Sequence, residues 1–443
     1  MPLVRCFQKN FEPCIHRRSP GSIESSSAVP ALLAGLSLLL GGGLACASSG
    51  GGEGGEDQKA FRFEISCSGG SAIFQKIDTE SRLPTEKGPV QLPAGVDCGD
   101  AEDMDEAAIR KFPRTGDWVL YYKGTKTPIR EGRYAAGERE GEWLGYDKKG
   151  RLDRRVAYQN GKKNGQETLL FAGTNNWRER GNNVDGERDG LWESRHSGDS
   201  DCISKGAYAR GDKNGPWEEC VQDPKTRKSY RNFVGTYLDG LRNGSAAAYN
   251  ADGRKIAEGD YFADTGEECR KNPPGGRQEN CGKRDGPWKI YHSTGKLALS
   301  GSYDRATGNR TGRWTEYYQS GEKMAEGPRE HTRRGRWKFW DKRGRLLFEG
   351  DFDGNDFSPR YAVIYENGRK TAEGDLSIGL IKYDLDNDAV KMSKLIKSGI
   401  WKLYDASGRK IGEGEMVNGR KNGKWVEGSE TNCYMLGRPR ACD

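Results

Sequence analysis

One phrase constrains the fold of this chain more than anything else in it. Trp401 is followed three places on by Tyr404, seven places on by Gly408, and then by Glu413 and Gly414. Trp314 leads at the same distances to Tyr317, Gly321, Glu326 and Gly327, and Trp337 to Trp340, Gly344, Glu349 and Gly350. Ala246, in a tryptophan slot, leads to Tyr249, Gly253, Glu258 and Gly259. Trp288 leads to Tyr291, Gly295 and Gly301 with Ser300 in the glutamate slot, and Ala362 keeps the order with one residue deleted. Looser copies start at Trp118, Trp143, about Glu167, Trp192, Trp217 and Trp425. About twelve units at a spacing of roughly two dozen residues mean an array of one supersecondary element.

Each unit spells a hairpin. The stretches Asp147–Gly150, Asn250–Gly253, Asp341–Gly344 and Asp405–Gly408 begin with Asp or Asn and end on glycine. That order fits a type I turn closed by a left-handed glycine. Units are joined by a second glycine-bounded segment, such as 161–165, 186–190, 211–215, 240–244, 282–286 and 419–423, and the Asn-Gly or Asp-Gly ending it reads as the turn. Only five to eight residues remain between turns, which suits strands and excludes useful helices. The expected fold is therefore all-β: an elongated, single-layer antiparallel hairpin array adding roughly 10 Å per unit. Tryptophan and the aromatic three places on fall on opposite faces of a strand. Both faces are expected to carry an aromatic row, each repeat burying its rings against the next.

Composition agrees with a thin structure. Hydrophobic residues make up 33% and charged residues 31%, with 63 glycines, which is lean for a thick core. Disorder is opposed by 11 Trp, 19 Tyr and 13 Phe. The net charge of +7 is spread over interspersed Lys/Arg and Asp/Glu, so no basic stripe for nucleic acid is present.

The pattern G-x-W-x-x-Y-x-x-x-G-(R/K) followed by E-G-x-(Y/F), over residues 116–428, resembles the MORN repeat in its bacterial secreted, antitoxin-like variant. The resemblance implies a scaffold, or a module that binds membranes or protein partners. The tryptophan slot departs from it at Ala246 and Ala362, and Cys220 follows Trp217 where an aromatic belongs. Insertions are expected near 264–283 and 376–398.

The N-terminus reads as an export signal. Arg17 and Arg18 precede an apolar run from Ala31 to Cys46, with the length of a signal-peptide core rather than a membrane span. Small residues before Cys46 and a Gly/Ser/Glu-rich stretch after it resemble a bacterial lipoprotein signal. That likeness implies a signal peptide at 1–45, acylation of Cys46, a flexible tether at 46–59 and, with Ala47 next, the outer membrane. Eight further cysteines remain: Cys67, Cys98, Cys202, Cys220, Cys269, Cys281, Cys433 and Cys442. An even set in four sequence-near pairs points to disulfides and an oxidising compartment, although eight cysteines allow 105 connectivities. Centring the hairpin on 211–215 leaves Cys202 and Cys220 out of register by several residues. Residues 60–115, with helix-forming character from Asp100 to Phe112, read as an N-terminal cap, and 429–443 as a closing tail.

No catalytic, nucleotide-binding or metal-ligand spacing is found. Asp384, Asp386 and Asp388 open like a calcium loop, but Ala389 and Leu395 stand where glycine and glutamate are required. The expectation is a non-enzyme without metal or cofactor. It is an exported repeat lipoprotein acting as a scaffold or binding surface at the bacterial cell envelope, for an envelope protein or glycan partner. Two alternatives differ in partner: glycan or peptidoglycan binding through exposed aromatics, and an antitoxin or immunity role against a toxin. The aromatics Trp118, Trp143, Trp192, Trp217, Trp288, Trp314, Trp337, Trp401 and Trp425 would serve packing or binding.

Overall fold

Twenty-eight strands join into one sheet. The computed structural model describes residues 60–68, 71–264, 266, 281–384 and 389–442. The expected signal and tether, Cys46 and Cys269 lie outside the described residues. From β1 (Phe61–Ser68) to β28 (Arg438–Arg440), every strand pairs antiparallel with the next one in sequence. The chain is thus an all-β meander in a single open sheet.

The turns follow from local chemistry. At Asp341 the Gly344 amide donates to the Asp341 carbonyl at 2.9 Å, with Gly344 at φ +74°. The Asp341 carboxylate accepts from the amides of Arg343 and Arg345, at 2.9 Å each, and pairs with the Arg345 guanidinium at 2.7 Å. An acceptor at the first turn position and a residue free to adopt positive φ at the fourth are what this turn requires.

The second connection differs from expectation. The turn is not Asn164–Gly165 but the preceding pair, Asn160 (φ +50°) and Gly161 (φ +76°). Asp185–Gly186 and Asn418–Gly419 repeat it, with positive φ at both central positions as a type I′ hairpin demands. The later glycine lies inside the next strand and makes a bulge. Gly414 faces Trp425, but the next register partners are Glu415 and Asn422, so Gly423 (φ +65°) and Lys424 are looped out. Two left-handed positions in one five-residue segment read as a single turn in sequence, whereas the strands use them for a turn and a bulge.

The cap is continuous with the array. β3 (Pro84–Val90) pairs with β4 (Gly116–Tyr121) through Glu86↔Leu120 and Lys87↔Val119. The stretch from Asp100 to Phe112 is helical only in part. α1 (Cys98–Glu102) is capped by the Asp97 carboxylate, and α2 (Glu106–Ile109) by that of Asp105. Their Ala101 and Ile109 are buried against Ile65, Phe74 and Val90. At 376–398 the added residues lengthen one hairpin, β23 (Arg369–Asp384) with β24 (Ala389–Tyr404), whose pairing runs out to Asp384↔Ala389.

Candidate functional site

The repeated aromatics dominate the chemistry, and Trp314 shows how each is held. Its ring lies over Gly301 on the preceding strand, so closely that a Cβ there would be 2.2 Å from the ring. Its indole N–H donates to the Ser302 carbonyl at 3.2 Å and the Thr311 carbonyl at 3.1 Å. Tyr303 meets it edge-on, with centroids 5.3 Å apart at 86°. The Arg310 guanidinium covers the ring at 5.0 Å from its centroid, and Trp314 is 0% exposed.

The glycine floor, the indole hydrogen bond and the covering cation recur at every expected tryptophan. Trp118, Trp143, Trp192, Trp217, Trp288, Trp337, Trp401 and Trp425 lie over Gly88, Gly132, Gly181, Gly206, Gly259, Gly327, Gly374 and Gly414, and none is more than 5% exposed. Each indole donates to the carbonyl of the residue after its glycine, from Pro89 at Trp118 to Glu415 at Trp425. Each ring is covered by the Lys or Arg four residues before it: Arg114, Arg139, Arg188, Lys213, Arg284, Arg333, Lys397 and Lys421. Burying such a ring stabilises by about 4–6 kcal/mol as an upper bound. A cation over its face adds roughly 0.5–2 kcal/mol.

Sequence reading missed these covering cations. The signal was present as a basic residue four places before each tryptophan, inside a segment that reads only as turn.

Slots without tryptophan are compensated. Where Glu167 takes the slot, the residue across from it is Val156 instead of glycine. The covering Lys163 then binds the Glu167 carboxylate at 2.8 Å, and Asn183, in the position of the edge-on tyrosine, donates to it at 3.0 Å. Where Ala246 takes the slot, Phe233 folds over Gly235 and is covered by Arg242 at 4.1 Å. Beside Ala362, Pro359 and Phe352 close over Gly350.

The opposite face differs from expectation. Its tyrosines are half-buried rather than a second buried row, and Tyr146, Tyr291, Tyr365 and Tyr404 donate to Glu131, Glu258, Glu349 and Glu373. Tyr291 donates to Glu258, which Lys255 contacts at 2.5 Å; Tyr404 donates to Glu373, which Lys370 contacts at 3.1 Å. Burial and then the neighbouring Glu258 push the Tyr291 phenol up to about 12. The recurring glutamates are thus cross-strand partners, as paired positions on a sheet favour.

Glu316, Arg329 and Arg333 form a buried charged cluster. Glu316 accepts from Arg333 at 2.8 Å and from Arg329 at 2.9 Å, and Arg329 also reaches Asp356 at 3.1 Å. Burial pushes the Glu316 carboxyl up, but Arg333 and Arg329 outweigh it and hold it below the usual carboxylate range.

Among the described residues, Cys67 pairs with Cys98, Cys202 with Cys220 and Cys433 with Cys442 in disulfides. Cys281 is also disulfide-bonded. Placing the turn at Arg210–Gly211 and a bulge after it removes the register offset at Cys202, bringing its Cα to 6.0 Å from that of Cys220. Among the described residues, no group of three His, Cys, Asp or Glu side chains is placed to hold a metal ion.

Residues 284–305, from the covering Arg284 through Trp288 to just beyond Tyr303, match the family model described as MORN repeat variant. This stretch is similar to a MORN repeat. A search of curated proteins finds no match to the chain. The glycine floor, indole hydrogen bond and covering cation of this unit recur in the eight other tryptophan units.

Proposed function

We propose that the protein is an exported, lipid-tethered and non-catalytic scaffold, presenting its sheet to a protein partner at the bacterial cell envelope. MORN repeats are generally protein- or membrane-binding repeats, which supports a binding role. The observation that carries the reading is the sealing of the tryptophan face. With every repeat ring pinned between glycine and cation, the surface left for recognition is the Tyr–Glu–Lys lattice of the other face. Its Tyr–Glu bonds stand at Tyr146, Tyr291, Tyr365 and Tyr404, its Lys–Glu pairs include Lys255–Glu258, Lys323–Glu326, Lys370–Glu373 and Lys410–Glu413, and the same face carries exposed apolar residues such as Leu191, Ile400 and Val426. An extended partner with its own periodic charges fits such a surface. Stacking of sugars on the tryptophans is opposed by their burial.

The test combines fractionation with crosslinking in native cells. Labelled palmitate should enter the chain shortened to begin at Cys46 and be lost in Cys46→Ser. Crosslinking should return an envelope protein, and the charge reversals Lys338→Glu and Lys402→Glu should abolish its capture. Full-length chain in the cytosol with residues 1–45 intact would overturn the export reading. Unchanged capture by the reversed variants would overturn the face assignment.

A further inference from the structure

The covering cation has extra company at one end of the array. Arg114 lies over Trp118 at 4.4 Å, donates to Tyr134 at 3.1 Å and pairs with Glu86. Beside it, Lys76 reaches the same carboxylate at 3.5 Å, and Arg110, the residue capping the C-terminal end of α2, lies over Phe63 at 3.7 Å. These groups line a cavity of about 170 Å³ between the sheet and α2, walled by Phe63, Phe74, Phe112 and Trp118. Three cations and one carboxylate therefore face one small space with aromatic walls, and with Arg110 also paired to Glu106 at 3.7 Å a surplus of one positive charge remains.

We propose that this cap cavity binds a small organic monoanion, a carboxylate carried on a single apolar ring. The size sets the body of the ligand, since a cavity on the order of 150 Å³ holds one benzene-sized ring. The charges set its head. A guanidinium presents paired donors to a carboxylate, and in a partly dry site each such bond is stronger than in water. Glu86 holds Lys76 and Arg114 in place and competes with the ligand for them. The ligand carboxylate would take its place in part, with Arg110, the most exposed of the three, closing over it.

Benzoate is the probe, titrated into the full chain by isothermal calorimetry, with benzyl alcohol and acetate as comparisons. Benzoate should bind at least tenfold more tightly than either. Arg110→Gln and Lys76→Met should each weaken benzoate by at least fivefold, while thermal unfolding reports that the variants remain folded. Glu86→Gln, which removes the competing carboxylate, should tighten benzoate severalfold, a gain that misfolding cannot produce. Equal binding of benzoate and benzyl alcohol would overturn the proposal. So would equal binding of benzoate and acetate, or a Glu86→Gln variant no tighter than the parent.

Discussion

Replacing Gly301 by alanine tests the packing argument at its tightest point. Gly301 has an ordinary extended backbone, so any penalty is steric rather than conformational. The added methyl would lie 2.2, 2.4 and 2.6 Å from three atoms of the Trp314 ring, where ordinary contact begins at 3.4 Å. The ring must lift by more than 1 Å, away from the Ser302 carbonyl and into Arg310. Overpacking of this kind costs about 1–3 kcal/mol, and a buried donor left unsatisfied costs about another 1–3 kcal/mol. A loss of roughly 3–5 kcal/mol is expected. Gly312→Ala is the control, since nothing lies within 4 Å of its Cβ and only its φ of +67° is violated, for about 1–2 kcal/mol. Urea unfolding followed by far-UV circular dichroism measures both, with amide exchange at 299–316 locating the opening. The Glu167 unit supplies a second arm. Gly301→Val with Trp314→Glu should be less damaging than the sum of the two single changes by more than 1 kcal/mol. If Gly301→Ala costs no more than Gly312→Ala, or the double variant is merely additive, the glycine-floor argument is wrong.

Glu316→Gln should destabilise by about 3–5 kcal/mol, because it leaves Arg333 buried against a neutral partner and Arg329 with Asp356 as its remaining carboxylate; urea midpoints of the purified variant measure it. Since the Glu316 carboxyl is held below its unfolded range, its contribution is complete above about pH 4.3 and is lost as pH falls through the folded value. The parent should therefore show a steeper acid loss than the glutamine variant. On the alkaline side, Tyr146 and Tyr291 are pushed up to about 12, first by burial and then by Glu131 and Glu258. Their stabilisation holds below about pH 10 and disappears as pH rises through about 12, so midpoints should fall across that window. Tyr291→Phe should flatten the fall. Replacing Cys202 and Cys220 together by serine should cost roughly 2–3 kcal/mol, read as a lower urea midpoint than that of the oxidised parent.

The hairpin period, the Asp-to-Gly turns and the all-β class were legible because each depends on residues within one unit. The sealing of the tryptophans was not. It depends on Gly423-type bulges that move the register by several residues, and on carbonyls one strand away, which no local spacing reveals. The same slip in register made Cys202 and Cys220 look misplaced. Lys163, Glu167 and Asn183 were invisible as a set, because they occupy three structural positions of neighbouring strands and are joined only through the sheet.

The floor beneath each indole always belongs to the strand made before it, from Gly88 under Trp118 to Gly414 under Trp425. The array therefore has a direction. A chain emerging from its amino end always presents a ready seat before the ring that needs it. Deleting strands from the carboxyl end strands no indole, whereas deleting β1–β3 leaves Trp118 with nothing beneath it.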